Sequence, residues 1–187
     1  MNKLITPPAV LAVSLADAKL DLRIDGDDLD NSITRWIKGI TMAAEHETGR
    51  AFVHQDWSVT LDKFPDAIRL DRAPVAEVLS LKFYDADNVL QTLHPDDMYL
   101  DKITEPGYLV PAAGKAWPAT YSRPNALVVT YRAGYGPTDA TVPECAKQYI
   151  LANLCLQFDP ASGAATVGKP FTVSFLDRLL DSLRVYG

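Results

Sequence analysis

The sequence predicts an α+β protein: a small bundle of three helices, an antiparallel β subdomain inserted between the second and third helix, and a tethered C-terminal helical arm. Three observations predict it. Apolar residues recur at helical spacing up to residue 48, at every second position between residues 51 and 135, and at helical spacing again from residue 142. Turn residues break the middle stretch at short intervals. A run of small residues, DPASGAATVGKP (159–170), then separates the third helix from a last amphipathic segment.

Residues 1–13 form an extended leader, because Pro7 and Pro8 block a helix. The first helix covers 14–24. Ser14 followed by Asp17 resembles a capping box, Leu15, Ala18 and Leu22 share a face, and Asp25-Gly26 ends the helix. The second covers 28–48, with Leu29, Ile33, Trp36, Ile37, Ile40 and Ala44 in one stripe. Asp30, Lys38 and Glu45 fall off that stripe, and Gly49 is the stop. Gly39 costs about 1 kcal/mol against Ala in a helix interior, which a close helix–helix contact would explain.

The β insertion spans 51–135. Trp57, Val59 and Leu61 alternate with polar residues, as do Ile68 and Leu70, then Leu79, Leu81 and Phe83. Asp85–Asn88 is a turn into a partner strand over 89–93. Strands at 99–103 and 108–110 flank Pro106-Gly107, and 126–132 is the last strand. The third helix covers 142–158. Thr141 to Glu144 reads as a capping box with Pro143 in the first turn. Ala146, Ile150, Leu154 and Phe158 make one stripe, while Tyr149, Leu151, Cys155 and Leu156 make its other sides apolar. Such a helix is central or is covered by a second molecule. The linker 159–170 reaches roughly 20 Å. The arm, 171–187, contains a short helix opened by Ser174 and Asp177, with Leu176, Leu179, Leu180 and Leu183 on one face. A helix that short is marginal in water and needs a docking surface.

Composition narrows the function. The 187 residues are 48% hydrophobic and 22% charged, an ordinary globular balance that excludes global disorder. No run suits a membrane span, and the proline-bearing N-terminus makes a poor signal peptide, so the chain reads as cytosolic. A net charge of −6 argues against gripping nucleic acid by phosphate neutralisation. Cys145 and Cys155 lie about 15 Å apart along one helix, too far for a disulfide.

Catalytic signals are missing. The cluster Asp25, Asp27, Asp28 and Asp30 fails as a calcium loop, since Leu29 and Trp36 occupy ligand positions, and fits a turn before a helix. His46, His54 and His94 and the two cysteines lack metal-ligand spacing. No nucleophile elbow or phosphate loop occurs. Asp96-Asp97 beside Pro95 suits a turn better than acid–base work. Tyr84, Tyr99, Tyr108, Tyr121, Tyr131 and Tyr135 suit a sheet better than a ligand groove. Trp57 and Trp117 read as packing anchors. No catalytic residue, metal or cofactor is expected. What stays unexplained is the all-round apolar third helix, the tethered arm and the extended leader.

An ordered set of short motifs accounts for these. SLADAKLDLRIDGDD (14–28), ETGR (47–50), QDW (55–57), LDKFP (61–65), IRL (68–70), RAPV (72–75), YDAD (84–87), LQTL (90–93), WP (117–118), YRAGY (131–135), VPE (142–144) and FTVSFLDRLL (171–180) follow in sequence. Together they resemble the head–tail connector, or adaptor, family of tailed bacteriophages, in the subgroup with a β insertion between helices two and three. Similar proteins occur in prophages and in phage-derived gene transfer particles. The resemblance covers roughly residues 14–185.

The resemblance implies a non-enzymatic virion protein, made in the host bacterial cytoplasm. Such adaptors form a ring, commonly of twelve copies, beneath the portal. They extend the channel through which double-stranded DNA passes without specific binding, and they present a surface to the downstream stopper or tail protein. The family's arm engages the portal. Carried to this chain, that implies portal or neighbour-subunit binding by Phe171, Phe175, Leu176, Leu179, Leu180 and Leu183. A ring needs a heterologous interface, for which the apolar positions Trp36, Ile40, Tyr149 and Leu156 are candidates. Net negative charge suits a channel wall along which phosphate slides. Two alternatives stay open: a soluble α+β ligand-binding domain or enzyme with an unrecognised site, and another ring-forming neck or tail protein, a stopper or a tail terminator.

Overall fold

The protein is described by a computed structural model covering residues 2–158 and 178–185. It mixes helices with antiparallel sheet, an α+β fold. Two compact units divide the chain. A helical unit takes Pro8–Val53 with the described residues 135–158 and 178–185, and a sheet unit takes His54–Gly134 with residues 2–7.

The helical unit contains α1 (Leu15–Leu22), α2 (Asp30–Thr48) and α3 (Glu144–Phe158). Ser14 caps α1: its hydroxyl accepts from the Asp17 amide at 3.0 Å and donates to the Asp17 carboxylate at 2.7 Å. The helix ends before Asp25-Gly26, because Arg23 adopts the left-handed conformation and its N–H closes on Leu20. Gly49, at φ 72°, ends α2 as its position predicts. The reading of Thr141 as a cap is corrected, since its hydroxyl donates to the Thr138 carbonyl at 2.6 Å and α3 starts only at Glu144. Ile33, Ile37 and Ala44 of α2, Ala146, Ile150 and Leu154 of α3 and Ala18 of α1 are buried in one core. Each large aliphatic side chain so buried is worth about 1.5–3 kcal/mol.

The sheet unit contains β1 (Asn2–Thr6), β2 (Gln55–Leu61), β3 (Ile68–Leu70), β4 (Val75–Tyr84), β5 (Leu90–Thr92), β6 (Met98–Asp101), β7 (Gly107–Pro111) and β8 (Leu127–Ala133). They form a five-stranded sheet ordered β1-β2-β8-β4-β5 and a three-stranded sheet ordered β3-β7-β6, with every pairing antiparallel. The first residues are thus more than a leader, because Asn2–Thr6 add an edge strand to β2. The central strand β8 shows the period of two most cleanly. Leu127, Val129, Tyr131 and Ala133 are buried, and Val128, Thr130 and Arg132 between them are half-buried. Close approach sets Gly107: a Cβ there would lie 3.0 Å from Val75 Cγ2 and 3.1 Å from the Asp101 carbonyl.

Candidate interaction surfaces

Where the arm ends is the least expected feature of the helical unit. Residues 178–181 make a helical turn whose Leu180 is fully buried, and Leu183 follows it into the core beside Ile33, Ile37 and Phe52. Three polar contacts fasten this segment to the end of α2. Arg50 Nε donates to the Leu183 carbonyl, the Val185 N–H donates to the Thr48 carbonyl at 2.9 Å, and Arg184 pairs with Glu47. Leu180 and Leu183, expected to bind a partner, are therefore spent inside their own chain. Leu179 is half-buried. Phe171, Phe175 and Leu176 lie outside the described residues.

The four helix positions proposed for a subunit contact separate. Trp36, Ile40 and Tyr149 are half-buried and pack on their own core, and the Trp36 ring meets Phe158 edge-on at 6.4 Å. Leu156 is exposed. Among the described residues no atom outside its own helix's neighbouring backbone lies within 4 Å of where the Gly39 Cβ would stand, so no described helix of this chain supplies the close contact expected there. Sequence reasoning missed two further features. Glu45 is buried and accepts the Phe52 N–H at 2.7 Å, joining α2 to the segment after it. Leu20 and Met42 are strongly exposed, 76% and 68%. Both were legible as apolar residues off the buried stripes.

Candidate chemical groups stay dispersed. Asp27 and Asp30 each meet Lys19 at 2.9 Å, which holds the ammonium above its usual range. The Asp96 N–H donates to His94 Nδ1 at 3.3 Å in a one-turn 3-10 helix, and Asp97 pairs with Lys115. Burial pushes the Cys155 thiol up, with the Asp21 carboxylate adding to it, so this thiol is poorly disposed to act as a nucleophile. Among the described residues no group of three or more His, Cys, Asp or Glu could hold a metal ion. None of the described helices is long and apolar enough to cross a membrane.

In the sheet unit Tyr131 is fully buried and its hydroxyl accepts the Arg72 N–H at 3.2 Å; desolvation pushes its ionisation up to about 12. Arg72 stacks 4.6 Å over Trp57, and Trp117 stacks on Phe64 at 4.8 Å, so both tryptophans are packing anchors. On the outward face of the five-stranded sheet, Arg132 bridges Asp56 and Glu77 at 2.8 Å each. A shallow cavity of about 430 Å³ on the same sheet is lined by Lys82, Tyr84, Arg123, Asn125 and Thr130 among others, with Arg123 4.0 Å over the Tyr84 ring. Of the six tyrosines considered for a ligand groove, Tyr84 alone lines this cavity.

The whole-chain fold has solved counterparts. One is a chain of the neck of an empty GTA particle computed with C6 symmetry, at TM-score 0.81 and 18% identity, covering 100% of this chain and 96% of that one. The fold is that of a GTA neck chain. A chain from the virion of the native gene transfer agent particle matches at TM-score 0.78 and 20% identity, and one from the neck of the native GTA particle computed with C12 symmetry at 0.73 and 18%. Each covers 100% of this chain and is itself covered to 96%. No protein-family model and no curated protein sequence matches the chain.

Proposed function

We propose that the protein is a structural, non-enzymatic neck subunit of a phage-like particle, a head–tail adaptor that forms a ring under the portal and carries the DNA channel toward the tail. The observation that supports this best is the end-to-end coverage of both chains in the fold match with the neck of a GTA particle. C6 and C12 symmetry in the neck structures holding similar chains fits a ring of twelve copies. Its partners would be further copies, the portal protein above and a stopper or tail protein below, with the virion neck as its place of action. Leu180 and Leu183 anchor the arm to its own subunit, so the portal contact falls to Phe171, Phe175, Leu176 and Leu179.

The test is a native mass measurement of the protein alone and mixed with the portal protein encoded beside it. A portal-bound complex near twelve copies is expected. A Phe171→Ser/Phe175→Ser/Leu176→Ser variant, which leaves the anchor intact, should stay folded and lose the portal. A wild-type chain that ignores the portal at high concentration would sink the proposal. Among the described residues, the cavity beside Arg123 and Tyr84 is what favours the competing ligand-binding function, which would then be pursued by ligand screening.

A further inference from the structure

We propose that the outward face of α1 on one copy docks on the outward face of α2 on the next, and that this head-to-tail contact builds the ring. The proposal rests on the neck function and names the surfaces that function would use.

The α1 side is an apolar knob in an acidic setting. Leu20 is 76% exposed, Asp17 at i−3 shares its side of the helix, and the exposed Asp21 flanks it a quarter-turn round, one turn on from Asp17. Residues 14–30 hold six aspartates against Lys19 and Arg23. Lys19 is occupied by Asp27 and Asp30, which leaves Asp17, Asp21, Asp25 and Asp28 against Arg23 to set a negative sign on the exposed surface.

The α2 side is the complement. Its exposed residues from Asn31 to His46 include Arg35, Lys38, Gly39, Met42 and Ala43, and no carboxylate, because Glu45 is turned inward. In a chain of net charge −6, such a stretch marks a local reversal of sign. Gly39 forms a notch on this face, open beyond its Cα, with Met42 beside it. A helix interior disfavours glycine, so an open glycine with none of the described residues over it suits a side chain arriving from outside. Leu20 fills that role, with Asp21 brought toward Arg35 and Lys38.

The signs fix which faces meet: an acidic face repels its own copy and so does a basic one, whereas acidic against basic attracts, and the head-to-tail repeat of that unlike contact is what a ring requires. Both faces point away from the core that α1 and α2 share, so one subunit can use both at once.

Two charge reversals test this in the full-length protein: Asp21→Lys/Asp25→Lys and Arg35→Glu/Lys38→Glu. All four residues are exposed, and circular dichroism verifies the fold. Self-association is followed by sedimentation velocity up to about 1 mM, where even a millimolar contact is half formed. The wild type should associate and weaken as salt rises. Each variant alone should associate at least about tenfold more weakly, since like charges then face each other. Their equimolar mixture should recover, because every interface in an alternating array is again acidic against basic. A chain carrying all four changes should recover without a partner. Variants that associate like the wild type, a mixture no better than its components, or a wild type monomeric throughout would each overturn the proposal. Loss of portal binding in variants of a monomeric wild type would assign these faces to the portal and overturn it likewise. Failure here with portal binding intact leaves the neck function standing; association without portal binding leaves this contact standing and removes the neck function.

Discussion

The buried rows of the sheet unit come from strands that each alternate locally, Leu127, Val129 and Tyr131 on β8 and Leu81 and Phe83 on β4, whereas the helical unit completes its core with Leu180 and Leu183 from the chain end. Leu183 meets Arg50 across 133 residues of sequence. The first unit is specified by a repeating pattern, and the second by a remote segment that must arrive. The stability of the helical unit should therefore depend on a few anchoring residues outside its three helices.

The largest expected effect breaks that anchor. Leu180→Ala removes a fully buried side chain and should cost about 2–5 kcal/mol in denaturant unfolding. Amide exchange should speed up in α2 and α3 while β8 keeps its protection. Equal loss of protection in β8 would show that the two units do not differ in this way. A smaller effect sharpens the sheet side. Tyr131→Phe removes the buried hydroxyl that accepts from the Arg72 N–H and should cost about 1–2 kcal/mol. It should also flatten the alkaline limb of stability. Folding raises the tyrosine from 10.0 to about 12, so its contribution is complete below pH 10 and is lost as the pH rises toward 12. Thermal midpoints measured across that window would show it, and an unchanged slope would refute the assignment to Tyr131.

The smallest effect lies at the β4–β5 turn. The Val89 amide, then Gln91 and the Asp87 amide, hold the Asp85 carboxyl below its ordinary value of 3.8. Its contribution is present above that value and is lost as the pH falls through the depressed one. Asp85→Asn should lessen the loss of thermal stability below about pH 4, by a small amount because the carboxylate is solvated. A variant with an unaltered acid limb would remove Asp85 from the account.

Much of this fold was readable in the residues. The shift from a period of 3.6 to 2 after residue 50 marks the strands that carry most of the five-stranded sheet, and Gly49 and Ser14 mark helix ends through backbone chemistry that needs no tertiary information. Strand β1 was not readable, because Asn2–Thr6 shows no alternation, its two apolar residues Leu4 and Ile5 standing side by side, and only pairing with β2 makes it a strand. Local sequence also could not tell whether the leucines of the arm cover a partner or their own chain, since amphipathicity states that a face must be buried and leaves open where. Glu45 escaped for a related reason: a carboxylate off an apolar stripe looks solvated until the Phe52 amide turns toward it. The exposed α1 and α2 faces were visible as residues left off the buried stripes, but their opposite signs acquired meaning only once Lys19 and Glu45 were seen to be occupied.

The fastening of the segment from Leu180 to Val185 onto α2 bears on how the polypeptide is born. A chain emerging from the ribosome N-terminus first exposes α1, α2 and α3 before the leucines that finish their core exist outside the exit tunnel. Up to that moment the helices carry a hydrophobic gap, and a chain cut before Leu180 keeps that gap open. Synthesis through Leu183 is thus the step that lets the helical unit close, later than its three helices by the length of the segment between.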